Sequence, residues 1–83
     1  MNIAEKQIND MKPAISGDRA LVIAEADARK VYRDLNGFRI LLTQEPDGWH
    51  VDYEPKDLRL KGGGPHYVID AFSEDIISKR YDQ

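Results

Sequence analysis

The amino-acid sequence predicts an α+β domain in which two N-terminal helices pack on a curved four-stranded antiparallel sheet. Apolar residues follow a helical period as far as Asn36, and the period changes to two after Gly37. Turn-forming residues then separate four short alternating segments. Helices that precede strands are typical of an antiparallel sheet with its helices on one face. With 83 residues, the chain is expected to be a single domain over residues 1–83.

The first predicted helix covers residues 2–12. Its apolar residues, from Ile3 to Met11, fall on one helical face. Asn2 is placed to cap the start, and Pro13 ends the segment because proline lacks an N–H and clashes with the preceding turn. A helix this short is marginal alone in water, so it is expected to pack on the rest of the domain.

The second predicted helix covers residues 19–35, which are rich in good helix formers. Asp18 is placed to cap its start, and Asn36-Gly37 is expected to end it. Glu25 and Arg29 form an i,i+4 pair on the solvent side. The face expected to lie on the sheet consists of Leu21, Ala24, Ala28, Val31, Tyr32 and Leu35.

Four strands are predicted after Gly37. Residues 38–43 and 49–54 form a hairpin around Pro46-Asp47-Gly48, where glycine is expected at positive φ. Residues 66–72 follow Pro65, which can only open a strand, and residues 76–81 follow the turn Ser73-Glu74-Asp75. The expected core residues of the sheet are Phe38, Ile40, Leu42, Val51 and Ile69.

Three consecutive glycines, Gly62-Gly63-Gly64, precede the third strand. A phosphate-binding loop would lead into a helix, whereas these glycines lead into a strand through Pro65. A bend that a Cβ would oppose explains them better, so at least one of the three is expected at positive φ.

Charge and composition narrow the function classes. The net charge is −3, and residues 37–83 carry all of it. This balance is poor for binding nucleic acid, which requires basic clusters, and favours a basic protein partner. The absence of cysteine excludes a disulfide framework, a thiolate zinc site and a thiol nucleophile. No signal sequence or membrane-spanning run is present, so the expected location is the cytoplasm.

Few residues suggest chemistry. His50 and His66 are each predicted on the strand face opposite the neighbouring aromatic residue, where Asp52 or Asp70 could complete a metal site, but no third spaced ligand is evident. The serines lie in no nucleophile pattern, so the chain is predicted not to be an enzyme and to need no cofactor or metal. Trp49 shares a strand face with residues expected in the core, which favours packing over partner binding.

The carboxyl half carries three distinctive strings: Gly48-Trp49-His50-Val51-Asp52-Tyr53, then Gly62-Gly63-Gly64-Pro65-His66-Tyr67-Val68-Ile69-Asp70-Ala71, then Ile76-Ile77-Ser78-Lys79-Arg80-Tyr81-Asp82-Gln83. With the helix before them, they resemble the bacterial immunity proteins of the nuclear transport factor 2 fold, over residues 19–83. The family usually has glycine in its last turn, where this chain has Ser73-Glu74-Asp75.

The resemblance implies a nuclear transport factor 2-like, or cystatin-like, fold and a protein that binds and neutralises a cognate toxin. A small peptidase-inhibitor or propeptide-like module, and a small-ligand-binding protein or enzyme of the same fold, remain as alternatives. The charge pattern itself predicts where a protein partner binds, because four acids fall within eleven positions of the hairpin and the loop after it. These partner-binding candidates are Asp47, Asp52, Glu54 and Asp57.

Overall fold

The computed structural model describes residues 14–57, 59 and 63–81. Within these residues a single helix packs on a four-stranded antiparallel meander with strand order β1-β2-β3-β4, which confirms the α+β class. The predicted helix over residues 2–12 lies outside the described residues. The described part of the chain holds no helix long and apolar enough to cross a membrane. The elements are α1 (Gly17–Val31), β1 (Phe38–Glu45), β2 (Gly48–Pro55), β3 (Pro65–Ile69) and β4 (Ile76–Tyr81).

Helix α1 begins earlier and ends earlier than the sequence predicts. Its N-cap is Ser16, whose Oγ accepts the N–H of Arg19 at 3.1 Å, and Asp18 lies in the first turn. The helix ends at Val31 because Tyr32 adopts an extended conformation, with φ −112° and ψ 130°. The Tyr32 ring packs against the rings of Phe38 and Tyr81, so tertiary packing ends the helix before the predicted glycine cap.

The buried face of α1 is built from alanine. Ala20, Ala24 and Ala28 are 0% exposed and recur every four residues, so they form one stripe against the sheet. Small side chains let the helix approach the tyrosines of the central strands closely. The predicted face is therefore rotated: Val31 is 53% exposed, and Leu21 is only partly buried at the margin of the core.

The core lies over the central strands. Val51 in β2 and Ile69 in β3 are 0% exposed, as predicted, and Phe38 is partly buried. Ile40 and Leu42 were expected in the core but are 45% and 37% exposed, so that expectation is wrong. Both belong to β1, an edge strand, and α1 lies over the middle of the sheet and leaves most of β1 uncovered.

Five aromatic side chains form a closed circuit between the end of α1 and the sheet. Tyr32 contacts Phe38, Phe38 contacts Tyr53, Tyr53 contacts Tyr67, Tyr67 contacts Tyr81, and Tyr81 returns to Tyr32. The ring centroids are 5.7–6.4 Å apart and four of the five contacts are edge-to-face, the favoured geometry for aromatic pairs. This circuit supplies most of the bulk that the alanines of α1 lack.

Two glycines are required by close packing. Gly48 closes the β1–β2 turn at φ +138°, as predicted, and a Cβ there would collide with the carbonyl of Ile69. Gly64 precedes β3 and is not at positive φ, but a Cβ would lie 2.7 Å from the ring of Phe38. The expectation of positive φ fails for Gly64, and Gly62 lies outside the described residues.

The β3–β4 turn starts earlier than predicted. Strand β3 ends at Ile69 because the Asp70 carboxylate accepts the N–H groups of Phe72 and Ser73, at 2.8 and 2.9 Å. These bonds lower the pKa of Asp70. Glu74 takes φ +70°, so a non-glycine residue adopts the left-handed conformation in the turn where the resembled family usually has glycine.

Candidate functional site

The sheet face opposite α1 is the candidate site. In an antiparallel sheet, residues directly opposite each other share a face, so the register assigns every strand residue to one side. Helix α1 packs on the other side, and no helix or strand among the described residues covers this one. We name it the open face; it consists of Arg39, Leu41, Thr43, His50, Asp52, Glu54, His66, Val68, Ser78 and Arg80.

A histidine–carboxylate pair lies at the centre of the open face. Asp52 in β2 is directly opposite His66 in β3, and the Asp52 Oδ1–His66 Nδ1 distance is 2.8 Å. Their side chains are 36% and 20% exposed, so the pair is partly shielded from water. A depression of about 210 Å³ surrounds it and is also lined by Ser78 and Arg80. The depression therefore offers hydrogen-bonding groups of both charge signs.

The remaining acids predicted to bind a partner are also paired within the chain. Glu54 lies on the open face beside Arg39, with 3.2 Å between Arg39 Nη2 and Glu54 Oε1. Asp47 lies in the β1–β2 turn, 2.7 Å from His50 Nε2, and this hydrogen bond lowers the pKa of Asp47. The fourth acid lies beyond the end of β2.

Asp57, that fourth acid, binds Arg59 through both carboxylate oxygens, at 2.9 and 3.0 Å. The Arg59 hydrogen bonds lower the pKa of Asp57. Only Asp52 and Glu54 share a face, as the sequence predicts, while Asp47 and Asp57 lie at opposite ends of β2. The acids are therefore spread along one strand, each beside a basic or titratable group, and their role in partner binding stays a prediction.

Both histidines line the depression of about 210 Å³, but each contacts its own carboxylate. His50 Nε2 faces Asp47, and His66 Nδ1 faces Asp52. In the described part of the chain, no group of three or more His, Cys, Asp or Glu residues is placed to hold a metal ion. Trp49 lies on the helix side, where its Nε1–H donates to the Ile15 carbonyl at 3.2 Å, so the core interpretation of Trp49 is confirmed.

One charged cluster, around Asp27, is not predicted from the sequence. Asp27 on α1 is 7% exposed and accepts hydrogen bonds from the hydroxyls of Tyr67 and Tyr81 and from Lys79 Nζ. The Tyr67 and Lys79 bonds measure 3.0 and 3.1 Å. Asp27 follows Ala20 by seven positions, a helical spacing that assigns it to the alanine stripe, whereas the larger apolar residues of the helix predict a stripe on a neighbouring face.

Burial and hydrogen bonding act in opposite directions on Asp27. Burial raises its pKa, but the hydrogen bonds from Tyr81, Lys79 and Tyr67 outweigh burial, and the pKa is lowered. Burial, and then the bond to Asp27, raise the pKa of Tyr67, and the same carboxylate raises the pKa of Lys79. Asp27 is thus an ionised anchor that ties α1 to β3 and β4, and it lies on the side of the sheet away from the open face.

A second depression lies at one end of the sheet. It has a volume of about 360 Å³ between the β1–β2 turn and the residues after β3. Its lining includes Glu45, Asp47 and Asp70 together with Phe72, whose side chain is 62% exposed. Exposed aromatic residues such as Phe72 are enriched in protein-binding surfaces, whereas carboxylates are depleted there.

Comparisons with protein-family models, curated proteins and solved structures give no match to this chain.

Proposed function

We propose that this protein is a binding module that docks the open face of its sheet on a bacterial toxin domain and neutralises it, without catalysis or a cofactor. The observation that supports this proposal is a four-stranded sheet with a helix on one face only. A sheet face that carries charged and hydrogen-bonding side chains, together with Leu41 and Val68, can complement the charges and apolar groups of a protein partner.

The partner surface inferred here is basic. Residues 37–83, among which all four strands lie, carry the whole net charge of −3. Asp52 and Glu54 project from the same side of β2 and keep their carboxylates partly exposed. Negative charges on this strand would steer a basic surface towards it and accelerate association at low salt. The intramolecular partners of these acids would exchange for groups on the toxin.

The partner class comes from the family resemblance. An immunity protein must meet its toxin inside the producing cell, which agrees with the expected cytoplasmic location. Because immunity folds act by occupying a surface of the toxin, the proposal requires shape and charge on the protein and no reacting group.

The test compares two triple variants in which charge reversal changes the net charge by the same amount. One variant replaces Asp52, Glu54 and Asp57 with lysine on and beside the open face. The control replaces Asp18, Glu25 and Asp34, which are exposed on the helix side of the molecule. The partner tested is any toxin domain that a neighbouring gene encodes. The readouts are the association rate as a function of salt concentration and the growth of cells that express the toxin.

The open-face variant is expected to associate at least about tenfold more slowly at low salt and to lose protection, while the control keeps both. Circular dichroism checks that each variant is folded. Where the triple variant does not fold, the single change Glu54→Lys replaces it, because that side chain is 37% exposed and lies at the end of β2. Equal association rates and protection for the two triple variants would contradict the proposed surface.

A further inference from the structure

The outer edge of β1 presents backbone groups that no described residue binds. Just before β1, the N–H of Lys56 donates to the carbonyl of Gly37 at 2.9 Å. Alternate residues of an antiparallel strand bond to the same neighbour, so the odd-numbered residues of β1 face β2. The N–H and C=O groups of Ile40, Leu42 and Gln44 therefore point outward, away from β2.

Three consecutive apolar residues of β1 are also exposed. Ile40, Leu41 and Leu42 are consecutive apolar residues with 45%, 44% and 37% exposure. The other edge strand, β4, carries Lys79 and Arg80 and pairs irregularly with β3, features that discourage edge-to-edge pairing. Strand β1 lacks both features over its three apolar residues, so the two edges of one sheet differ in their capacity to accept another strand.

We propose that β1 pairs antiparallel with β1 of a second copy of this chain, which joins two four-stranded sheets into one. A two-fold axis perpendicular to the sheet places Leu41 opposite the partner's Leu41 on the open face. Ile40 then lies opposite the partner's Leu42 on the helix side, where both residues have outward-pointing backbone groups. Arg39 lies diagonal to the partner's Glu45, so the ends of the strand carry opposite charges that meet.

The position of the two-fold axis is chosen by comparing an ion pair with the burial of aliphatic side chains. An axis at Leu42 would place Arg39 directly opposite the partner's Glu45, but Leu41 and Ile40 would then face polar side chains. An exposed ion pair contributes much less than the burial of aliphatic side chains. The axis at Leu41 pairs every exposed apolar residue of β1 with another one, and the open faces of the two copies become one continuous surface.

The first experiment compares matched substitutions on the two edge strands. The wild-type chain is expected to reach twice its 9.5 kDa mass in analytical ultracentrifugation as concentration rises. Leu41→Lys places like charges opposite each other at the axis and is expected to weaken dimerisation at least about tenfold. Ile77→Lys makes the same change on β4, at 53% exposure, and is expected to leave the dimer intact.

The second experiment tests the register through oxidation of single-cysteine variants, since the chain has no cysteine. Leu41→Cys is expected to form a disulfide-linked dimer, because directly opposite residues lie within disulfide range. Leu42→Cys, whose counterpart lies two positions away along the pair, and Ile77→Cys are expected to crosslink only through slow collisions.

The outcomes separate the possible occupants of the edge. A wild-type chain that stays monomeric, with no preferred crosslinking at residue 41, overturns the proposal and leaves the edge to residues 1–13 or to another protein. Loss of the dimer in Ile77→Lys but not in Leu41→Lys overturns the choice of strand, and preferred crosslinking at residue 42 overturns the register. None of these outcomes bears on toxin binding through the open face.

Discussion

The two faces of the sheet use the same residue types in different ways. On the helix side, Asp27 is buried and receives bonds from two tyrosine hydroxyls and a lysine. On the open face, Asp52 pairs with one histidine and Glu54 with one arginine, and all of these side chains are at least 20% exposed. One face concentrates polar bonding at a single carboxylate, and the other distributes it in separate exposed pairs.

This difference indicates that the helix side stabilises the fold, while the pairs of the open face can be exchanged. Removing a partner from a buried group leaves its hydrogen-bonding capacity unsatisfied, whereas water replaces a partner lost from an exposed group. Side chains on the open face can therefore change partners at low cost, as binding requires. The helix side cannot be rearranged in this way, because its bonds fix the position of α1 on β3 and β4.

The largest effect is expected at Asp27. Asp27→Ala leaves the buried hydroxyl of Tyr67 without its acceptor and frees α1 from β3 and β4, so a loss of about 2–4 kcal/mol in the free energy of unfolding is expected. The control, Asp52→Ala, removes a partly exposed pair and should lose less than about 1 kcal/mol. Urea unfolding of both variants measures the two losses. Similar losses would show that the two faces do not differ as described.

Acid titration examines the same carboxylate without removing its side chain. The folded state lowers the pKa of Asp27 below its usual value of 3.8. Its ionised form therefore stabilises the fold fully above about pH 5, and this contribution is lost as the pH falls through the folded-state pKa. The stability difference between the wild-type chain and Asp27→Asn is expected to be constant near neutral pH and to shrink below about pH 4.

Asp47→Asn provides the control for this titration. The pKa of Asp47 is also lowered, but its side chain lies in a turn, is 59% exposed and has only His50 of β2 as its side-chain partner. The stability difference between the wild-type chain and Asp47→Asn should therefore change much less with pH than the difference for Asp27→Asn. A curve for Asp27→Asn that stays flat down to pH 2 would contradict the assignment of Asp27 as an ionised anchor.

Local patterns in the sequence predict the elements well, while packing decides their details. The change of period after Gly37 and the turn at Gly48 place the sheet correctly, because alternation and turn chemistry act within a few residues. The end of α1 depends on where the Tyr32 ring docks, and the exposure of Ile40 depends on which strand α1 covers. Both depend on tertiary packing, which local sequence patterns do not predict.

The candidate site, too, is predictable from the sequence only where local patterns decide it. Alternation along β2 places Asp52 and Glu54 on one face, so their juxtaposition is predictable from the sequence. Their pairing with His66 and Arg39 requires the register between strands, which the sequence does not state. Asp27 was missed because its partners follow it by 40, 52 and 54 positions along the chain.

A moderate effect is expected at Gly64, where β2 and β3 meet the aromatic circuit. Gly64→Ala places a Cβ 2.7 Å from the ring of Phe38 and 3.0 Å from the Cβ of Tyr53, so the rings must shift and the loss is expected to be about 1–3 kcal/mol. Gly37→Ala is the matched control, because a Cβ there meets nothing within 4 Å and the change should stay within about 0.5 kcal/mol. Thermal unfolding compares the two, and equal melting temperatures would refute the close approach.

The smallest change in the free energy of unfolding is expected from Tyr→Phe substitutions at two tyrosines that both lie on predicted strands. Tyr53 and Tyr67 are both at most 2% exposed, but the Tyr67 hydroxyl donates to Asp27, while the Tyr53 hydroxyl has no hydrogen-bond partner among the described residues. Burial, and then the charge of Glu25, raise the pKa of Tyr53, so its hydroxyl stays neutral, and its bonding capacity is unused among the described residues.

Tyr67→Phe is therefore expected to lose about 1–2 kcal/mol, since it removes a bond to a charged group, and Tyr53→Phe to be neutral or to gain up to about 1 kcal/mol. Both changes remove one oxygen and keep the ring, so the edge-to-face contacts of the aromatic circuit are retained and only the hydroxyl's bonding differs. Urea unfolding of the two variants measures that difference directly. A comparable loss in Tyr53→Phe would mean that its hydroxyl is bonded after all, and the helix side of the sheet would then hold a second polar anchor beside Asp27.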